Sequence, residues 1–386
     1  MKKKKIAVVD CDNFFVSCER SQDESLLNIP VCVMSNNDSC VVARSNEAKK
    51  LGLPMGYPYF KAKDEYPEVI YLSGNHALYK KISREVFELL RTYTPDIEQY
   101  SIDEGFFEIS QIKKLMNKNY YEIAKAIREN IYDKLKIPVS IGIASTKTLA
   151  KMAVEIAKKS DGIKIIEDEE IDDFLAVTKL ENVWGIGRYS FPKLKDFGVT
   201  TAKELVETDD FWVQKLLTKR GLDLKYELLG EIRNPVNPVE PLPKSLQSTR
   251  TFAEFTNDKQ KIKDALMEHL SYLCSKLRRH NLKAKELVVL LKEKNFTYHS
   301  QKNLFKQMFN SEFEVQKEMF RMFDELWQKN IIYRSCGVCI LGIKALAGEQ
   351  LGLFDTNENK KLENLSKTMD KIEERFGKGT VKLGRI

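Results

Sequence analysis

Four prolines fall within nine residues in Asn234-Pro235-Val236-Asn237-Pro238-Val239-Glu240-Pro241-Leu242-Pro243. Proline has no N–H to give a helix or a central strand and fixes its own φ, so this stretch runs extended. A single core cannot be threaded through it. The chain therefore divides there into a larger N-terminal part and a compact C-terminal one, and 386 residues suit more than one domain.

Before the prolines, strand-like and helix-like patterns alternate, the mark of an α/β core. The apolar run Lys5-Ile6-Ala7-Val8-Val9 ends in Asp10, and a short helical segment starts at Asn13. Ile97 to Tyr100 and Gly105 to Ile109 read as hairpin arms around Asp103-Glu104. Tyr120, Ala124, Ile127, Ile131 and Leu135 recur at helical spacing, Pro138 to Ile143 reads as a strand, and a lysine-rich helix spans Thr146 to Lys159.

A carboxylate at the end of an apolar strand costs desolvation energy unless positive charge offsets it. Hard oxygens converging from separate strands are what Mg²⁺ accepts, usually beside substrate phosphates. Two such ions roughly 3.5–4 Å apart serve in-line attack at phosphorus. Asp10, Asp103 and Glu104 thus point to metal-dependent phosphoryl or nucleotidyl transfer. The plain alternative for the pair is a solvated hairpin tip. Strand side chains alternate, so Asp103 and Glu104 can share a site only at a turn or strand start.

Composition excludes several classes. With 42% hydrophobic and 31% charged residues the chain is globular, and a net charge of +7 allows a polyanion partner without requiring one. Only Ile6 to Val9 follow the opening lysines before Asp10, so no signal peptide is expected, and no stretch is long and apolar enough for a membrane. The expected address is cytoplasmic. Cys336-Gly337-Val338-Cys339 is a lone CxxC inside an alternating run and reads as strand, not as a zinc or redox site.

From Ile171 to Gly230 the pattern is helical, centred on Val183-Trp184-Gly185-Ile186-Gly187-Arg188. A Gly-x-Gly turn between short helices presents backbone N–H groups that can hold a phosphate without reading sequence; a tight turn needing glycine is the bland reading. After the prolines the order is βαββαβ, a sheet covered by two helices on one face with the other face open to a ligand. Lys276, Arg278, Arg279, Lys283, Lys285 and Lys292 bring positive charge to this part, as DNA contacts or as solvated surface. The tail is polar, with one helix candidate near Leu365 to Phe376. It also holds Gln350-Leu351-Gly352-Leu353-Phe354, an apolar cluster suited to a groove on a partner.

Taken together, these motifs resemble those of the Y-family, translesion DNA polymerases. Asp10-Cys11-Asp12-Asn13-Phe14-Phe15-Val16-Ser17-Cys18-Glu19 is similar to that family's opening motif, and Tyr100-Ser101-Ile102-Asp103-Glu104 to its second acidic motif. Ser145-Thr146-Lys147-Thr148-Leu149-Ala150-Lys151 and Val183 to Arg188 match its third and fourth blocks, in order. Ser35 to Arg44, Trp184 and the tail resemble the UmuC branch.

The resemblance implies a right-hand polymerase of α/β (α+β) multidomain type. The palm would be residues 1–24 and 76–170, the fingers 25–75, and the thumb with its helix-hairpin-helix 171–233. A linker at 234–244, a βαββαβ little finger at 245–345 and a tail at 346–386 would follow. Asp10, Asp103 and Glu104 would be catalytic and, with the Cys11 carbonyl, would hold two Mg²⁺. Phe14 and Phe15 backbone N–H groups, Lys49 and Lys158 would bind the nucleotide, with Phe15 as the steric gate against a 2′-hydroxyl. Asn46 and Lys49 depart from the tyrosine and arginine of many members. Gly185, Ile186, Gly187, Arg188 and Arg250 would bind DNA, while Gln350, Leu351, Leu353 and Phe354 would bind a sliding clamp.

The implied function is error-prone, template-directed synthesis across lesions in DNA damage tolerance and SOS repair. Its implied partners are primer–template DNA, deoxynucleoside triphosphates, the clamp, a processed UmuD dimer and RecA. Two alternatives remain, a non-catalytic scaffold of the same fold and a palm-type nucleotide cyclase.

Overall fold

The chain divides within the proline stretch, into units Met1–Glu240 and Pro241–Ile386. A computed structural model describes residues 4–239, 241–345, 357–377 and 380–381. The first unit opens with β1 (Ile6–Cys11), α1 (Phe14–Arg20), β2 (Val31–Met34), β3 (Val41–Arg44), α2 (Asn46–Lys50), α3 (Tyr59–Glu65) and β4 (Ile70–Leu72). There follow α4 (His76–Arg91), β5 (Ile97–Gln99), β6 (Glu104–Glu108), α5 (Ile109–Met116), α6 (Tyr120–Leu135), β7 (Val139–Ala144), α7 (Lys147–Ala157) and β8 (Ile163–Ile165). Helices α8 (Ile171–Val177), α9 (Ser190–Asp196), α10 (Ala202–Glu207) and α11 (Asp210–Leu228) complete it.

The main sheet runs β5-β6-β1-β7-β8, and a smaller one runs β3-β2-β4. Strand β1 is central and buried on both faces, which is why its apolar residues form a run and do not alternate. Its parity still sorts the core. Ala7, Val9 and Cys11 pack with residues of α1, α4 and α6, whereas Ile6 and Val8 pack with α7 and the helices that follow. Asp10, two residues beyond Val8, shares its parity and so faces α7.

Helix α7 lies close to the sheet because Gly142 has no side chain. A Cβ there would meet the Ala150 carbonyl oxygen at 2.2 Å and the Val154 nitrogen at 2.5 Å. The Thr146 hydroxyl caps α7 at the Leu149 N–H, 3.3 Å away. Glu227, fully buried near the end of α11, accepts the Thr148 N–H at 3.2 Å with one oxygen and the Arg233 and Asn234 N–H groups at 2.7 and 2.9 Å with the other. A buried carboxylate here is stabilised by backbone donors at a helix start. The linker is therefore free only in part: Asn237 N–H donates to Glu98 at 2.6 Å, and Val236 packs against the core.

The second unit contains β9 (Ser245–Thr256), α12 (Lys259–Arg279), β10 (Leu282–Glu293), β11 (Tyr298–Phe309), α13 (Glu312–Leu326), β12 (Tyr333–Leu341), β13 (Lys344–Ala345) and α14 (Asn357–Phe376). Its sheet order is β11-β10-β12-β9. Leu287, Val289 and Leu291 on β10 and Val338 and Ile340 on β12 face the apolar stripes of α12 and α13. Cys336 and Cys339 sit on β12 as strand residues, the first buried and the second half-buried.

One expectation changes here. Arg278 is not a solvated or DNA-facing cation: its side chain is 4% exposed and pairs with Glu312 and Asp370. The helix expected near Leu365 to Phe376 is present and begins earlier, as α14, which docks through that Asp370 and through the buried Ser311–Ser366 hydroxyl pair, 2.8 Å apart. The Gln350 to Phe354 cluster lies outside the described residues.

Candidate active site

The register of β1 on β6 sets Asp10 directly opposite Glu104. Directly opposed residues share a sheet face, so both carboxylates look toward α7. There the Lys151 ammonium donates to Asp10 Oδ2 at 2.6 Å and also to Glu104. Lys158, at the end of α7, takes the other Asp10 oxygen at 3.0 Å. Burial works against the charge on Lys151, yet Asp10 and Glu104 outweigh it and hold its pKa above the ordinary value; burial likewise opposes the charge on Lys158, where Asp10 and Glu155 outweigh it. Burial also raises the Glu104 carboxyl, with Lys151 pulling it down and Asp10 adding to the rise. The site demands positive charge.

Asp103 precedes β6 and has a different setting. Its carbonyl accepts the Cys11 N–H at 2.9 Å, and its carboxylate accepts the Ser101 hydroxyl. The buried Cys11 thiol is raised well above its usual value by burial, then by the charges of Asp103 and Asp10. Among the described residues, no three His, Cys, Asp or Glu side chains gather tightly enough to hold a metal ion. The donor set still fits hard divalent cations, since an ammonium already stands between two carboxylates that need a cation. Asp12 was not anticipated. It accepts the Ser140 hydroxyl at 2.8 Å, and burial pushes its carboxyl up to about 6, against Ser140 and with help from Asp10.

A second cluster lies at the start of α1. Asn13, in the left-handed region at φ 49°, bonds Asn46 at 3.1 Å and receives the Lys49 ammonium. Burial lowers the Lys49 pKa, and the charges of Arg44 and Lys158 lower it further. Three cations thus converge, and Arg44 Nε is buried without a partner. An anion among them would offset their mutual repulsion and could give Arg44 Nε a partner. Phe15 is half-buried and stacks on Tyr79 with centroids 4.5 Å apart at 15°. Tyr79 is fully buried, and its hydroxyl donates to Glu19 at 2.6 Å, so the Phe15 ring has a firm backing.

The impB/mucB/samB family matches residues 9–155, and its C-terminal domain matches residues 243–353. Protein UmuC of Salmonella typhimurium is 30% identical, over 97% of this chain and 92% of its own. The chain belongs to this family, the Y-family DNA polymerases. DNA polymerase IV 1 of Bacillus subtilis is 29% identical over 97% of this chain and 91% of its own. The solved Y-family DNA polymerase chimera Dbh-Dpo4(243-245)-Dbh matches with a TM-score of 0.76 and 25% identity, covering 88% of this chain and 99% of that one.

Within this Y-family chain the other expected residues are more dispersed. Gly185, at φ 105°, turns the chain into α9, while Ile186 is buried and the Gly187 carbonyl accepts the Ser190 and Phe191 N–H groups. Trp184 ties this turn to the catalytic sheet, with ring centroids 5.6 Å from Tyr100 and 6.0 Å from Phe106. Arg188 is exposed and lies over Tyr189. Arg250 is paired across the ladder with the buried Cys336 and bonds Glu268 of α12 at 2.8 Å. That puts it on the helix-covered side and not on the open face. Among the described residues no helix is long and apolar enough to cross a membrane.

Proposed function

We propose that this Y-family polymerase performs error-prone, template-directed synthesis past lesions, by two-metal nucleotidyl transfer on primer–template DNA. One observation carries the reading: Asp10 and Glu104 face one another beside Lys151 and Lys158, with the Arg44, Lys49 and Lys158 cations converging next to them. Asp10, Asp103, Glu104 and the Cys11 carbonyl would hold two Mg²⁺. When bound, such ions activate the primer 3′-hydroxyl and offset charge on the departing pyrophosphate. Lys49, Arg44 and Lys158 neutralise the triphosphate beside the backbone of Phe14 and Phe15, and Phe15 limits the sugar to its deoxy form. Strands β5 to β8 with β1 serve as palm, β2 to β4 as fingers, α8 to α11 as thumb and the second unit as little finger.

Gln350-Leu351-Gly352-Leu353-Phe354 would tether the enzyme to a sliding clamp, raising its effective concentration at the primer end. Work in the cytoplasm with a UmuD-like dimer and RecA follows from likeness to UmuC alone.

Primer extension, run with and without those partners, tests the reading. Asp10→Ala, Asp103→Ala and Glu104→Ala should each abolish extension while DNA binding persists. A wild-type protein that never incorporates a templated nucleotide would favour a scaffold, and a cyclic nucleotide product would favour a cyclase.

A further inference from the structure

Five side chains outside the catalytic centre meet at one end of the second unit's sheet. Phe255 lies near the end of β9, Lys292 near the end of β10, Phe296 in the turn that follows, Tyr298 at the start of β11 and Arg334 near the start of β12. The Lys292 ammonium is 4.7 Å from the Phe296 ring centre and 4.5 Å from that of Tyr298. The Arg334 guanidinium is 4.8 Å from Phe296 and 5.0 Å from Phe255. The three rings remain 37%, 58% and 66% exposed for Phe255, Phe296 and Tyr298.

The turn supplies an independent sign of use. Phe296 adopts φ 75°, a left-handed conformation that is strained for a bulky residue and is ordinarily filled by glycine or asparagine. Core burial does not compensate that strain, since the ring is exposed. The turn is nonetheless fixed: Asn295 Oδ1 accepts the Thr297 N–H at 2.9 Å, and Phe296 N–H donates to the Glu293 carbonyl at 3.0 Å. Strain that the surroundings enforce on an exposed aromatic marks a place where the ring touches something else.

We propose that this cation–aromatic cluster is a stacking platform for unpaired bases of the single-stranded template. The proposal rests on the polymerase reading and adds a site that reading does not require. A single strand alternates flat base faces with phosphates, and the cluster alternates flat rings with cations. Rings accept any base face without regard to sequence, while Lys292 and Arg334 meet the phosphates. Paired bases inside a duplex have no face to offer.

Fluorescence anisotropy with the full chain tests this, using a blunt duplex, the same duplex with a 5′ template overhang, and an overhang of abasic sites. The wild-type protein should bind the base-bearing overhang more tightly than the abasic one. Phe296→Gly and Tyr298→Ala should each lose about tenfold affinity for the base-bearing overhang, the scale of one stacked base. Phe296→Gly should melt no lower than wild type, because glycine takes that φ freely. A lower melting temperature with overhang affinity intact would make the ring a structural prop and overturn the proposal. Unchanged affinity in both variants would overturn it too, leaving the cluster to a protein partner. Wild-type protein that binds none of the three probes would instead reject the polymerase reading itself.

Discussion

Lys151 on α7 and Asp10 on β1, 141 residues apart in sequence, form a 2.6 Å ion pair that also takes in Glu104. The Asp10 and Glu104 side chains are only 9% and 12% exposed, so the lysine supplies charge that water cannot. Lys151→Ala leaves Lys158 alone on Asp10 and nothing equivalent on Glu104. The metal-free variant should lose about 3 kcal/mol in urea unfolding, the scale of a broken buried pair. Mg²⁺ should then stabilise the variant more than it stabilises wild type, because the ion replaces the missing cation. An equal Mg²⁺ effect on both proteins would show that lysine and ion do not share the site.

Phe15 can exclude a 2′-hydroxyl only if its ring cannot retreat, and Tyr79 stands behind it in a near-parallel stack. Phe15→Ala should relax discrimination against ribonucleotides by about a hundredfold, what a tight apolar wall achieves against one added hydroxyl. Tyr79→Ala should relax it less, by loosening the ring without removing it. Single-nucleotide incorporation with matched ribo and deoxy substrates reads both. Unchanged selectivity in Phe15→Ala would reject the gate.

What could be read from sequence was whatever periodicity or strand position encodes. Asp10 could be singled out because an aspartate ending Ile6-Ala7-Val8-Val9 is costly there, and strand alternation showed that Asp103 and Glu104 could share its site only from a turn or strand start, which is where β6 begins. The βαββαβ order of the second unit likewise follows from alternating and 3.6-spaced apolar residues. Lys151 and Arg44 were visible only as members of motifs, since their roles depend on how closely α7 approaches the sheet at Gly142 and on which cations converge. Glu227 carries no sequence signal, because its partners are backbone N–H groups brought together by folding. Arg278 misled for a related reason. In a run of basic residues a buried arginine looks like a solvated one, and the helix that buries it docks by polar contacts that hydrophobic spacing does not register.

His269 provides a pH test. It is buried, its Nδ1 lies 2.8 Å from the Ser248 hydroxyl, and its Nε2 has no partner. Burial lowers its pKa to about 4, with Arg250 adding to the lowering and Glu268 opposing it. An unfolded histidine titrates near about 6.5. As pH falls, the unfolded chain therefore takes up the proton first. The stability held by neutral His269 is fully present above about pH 6.5 and drains away toward pH 4, by about 3 kcal/mol in all. His269→Gln should flatten that part of the profile relative to wild type in urea melts at stepped pH. Parallel profiles would place the titration elsewhere.

Arg278 holds α14 to the second unit through a bidentate pair with Asp370, 2.6 and 2.9 Å, while its remaining nitrogen bonds Glu312 and the Asn310 carbonyl at 2.8 and 2.7 Å. The two partners are not equivalent. Glu312 is 2% exposed and has little access to water, whereas Asp370 at 16% can recover some hydration once α14 loosens. Arg278→Met strands the buried Glu312 charge and should cost about 3 kcal/mol or more. Asp370→Asn keeps the Arg278–Glu312 pair and a neutral hydrogen bond, so about 1 kcal/mol is expected. Both variants should speed amide exchange in α14, since each removes the charged contact that fixes it. Exchange that stays at the wild-type rate in both variants would mean that the Ser311–Ser366 contact, and not the ion pair, carries the docking.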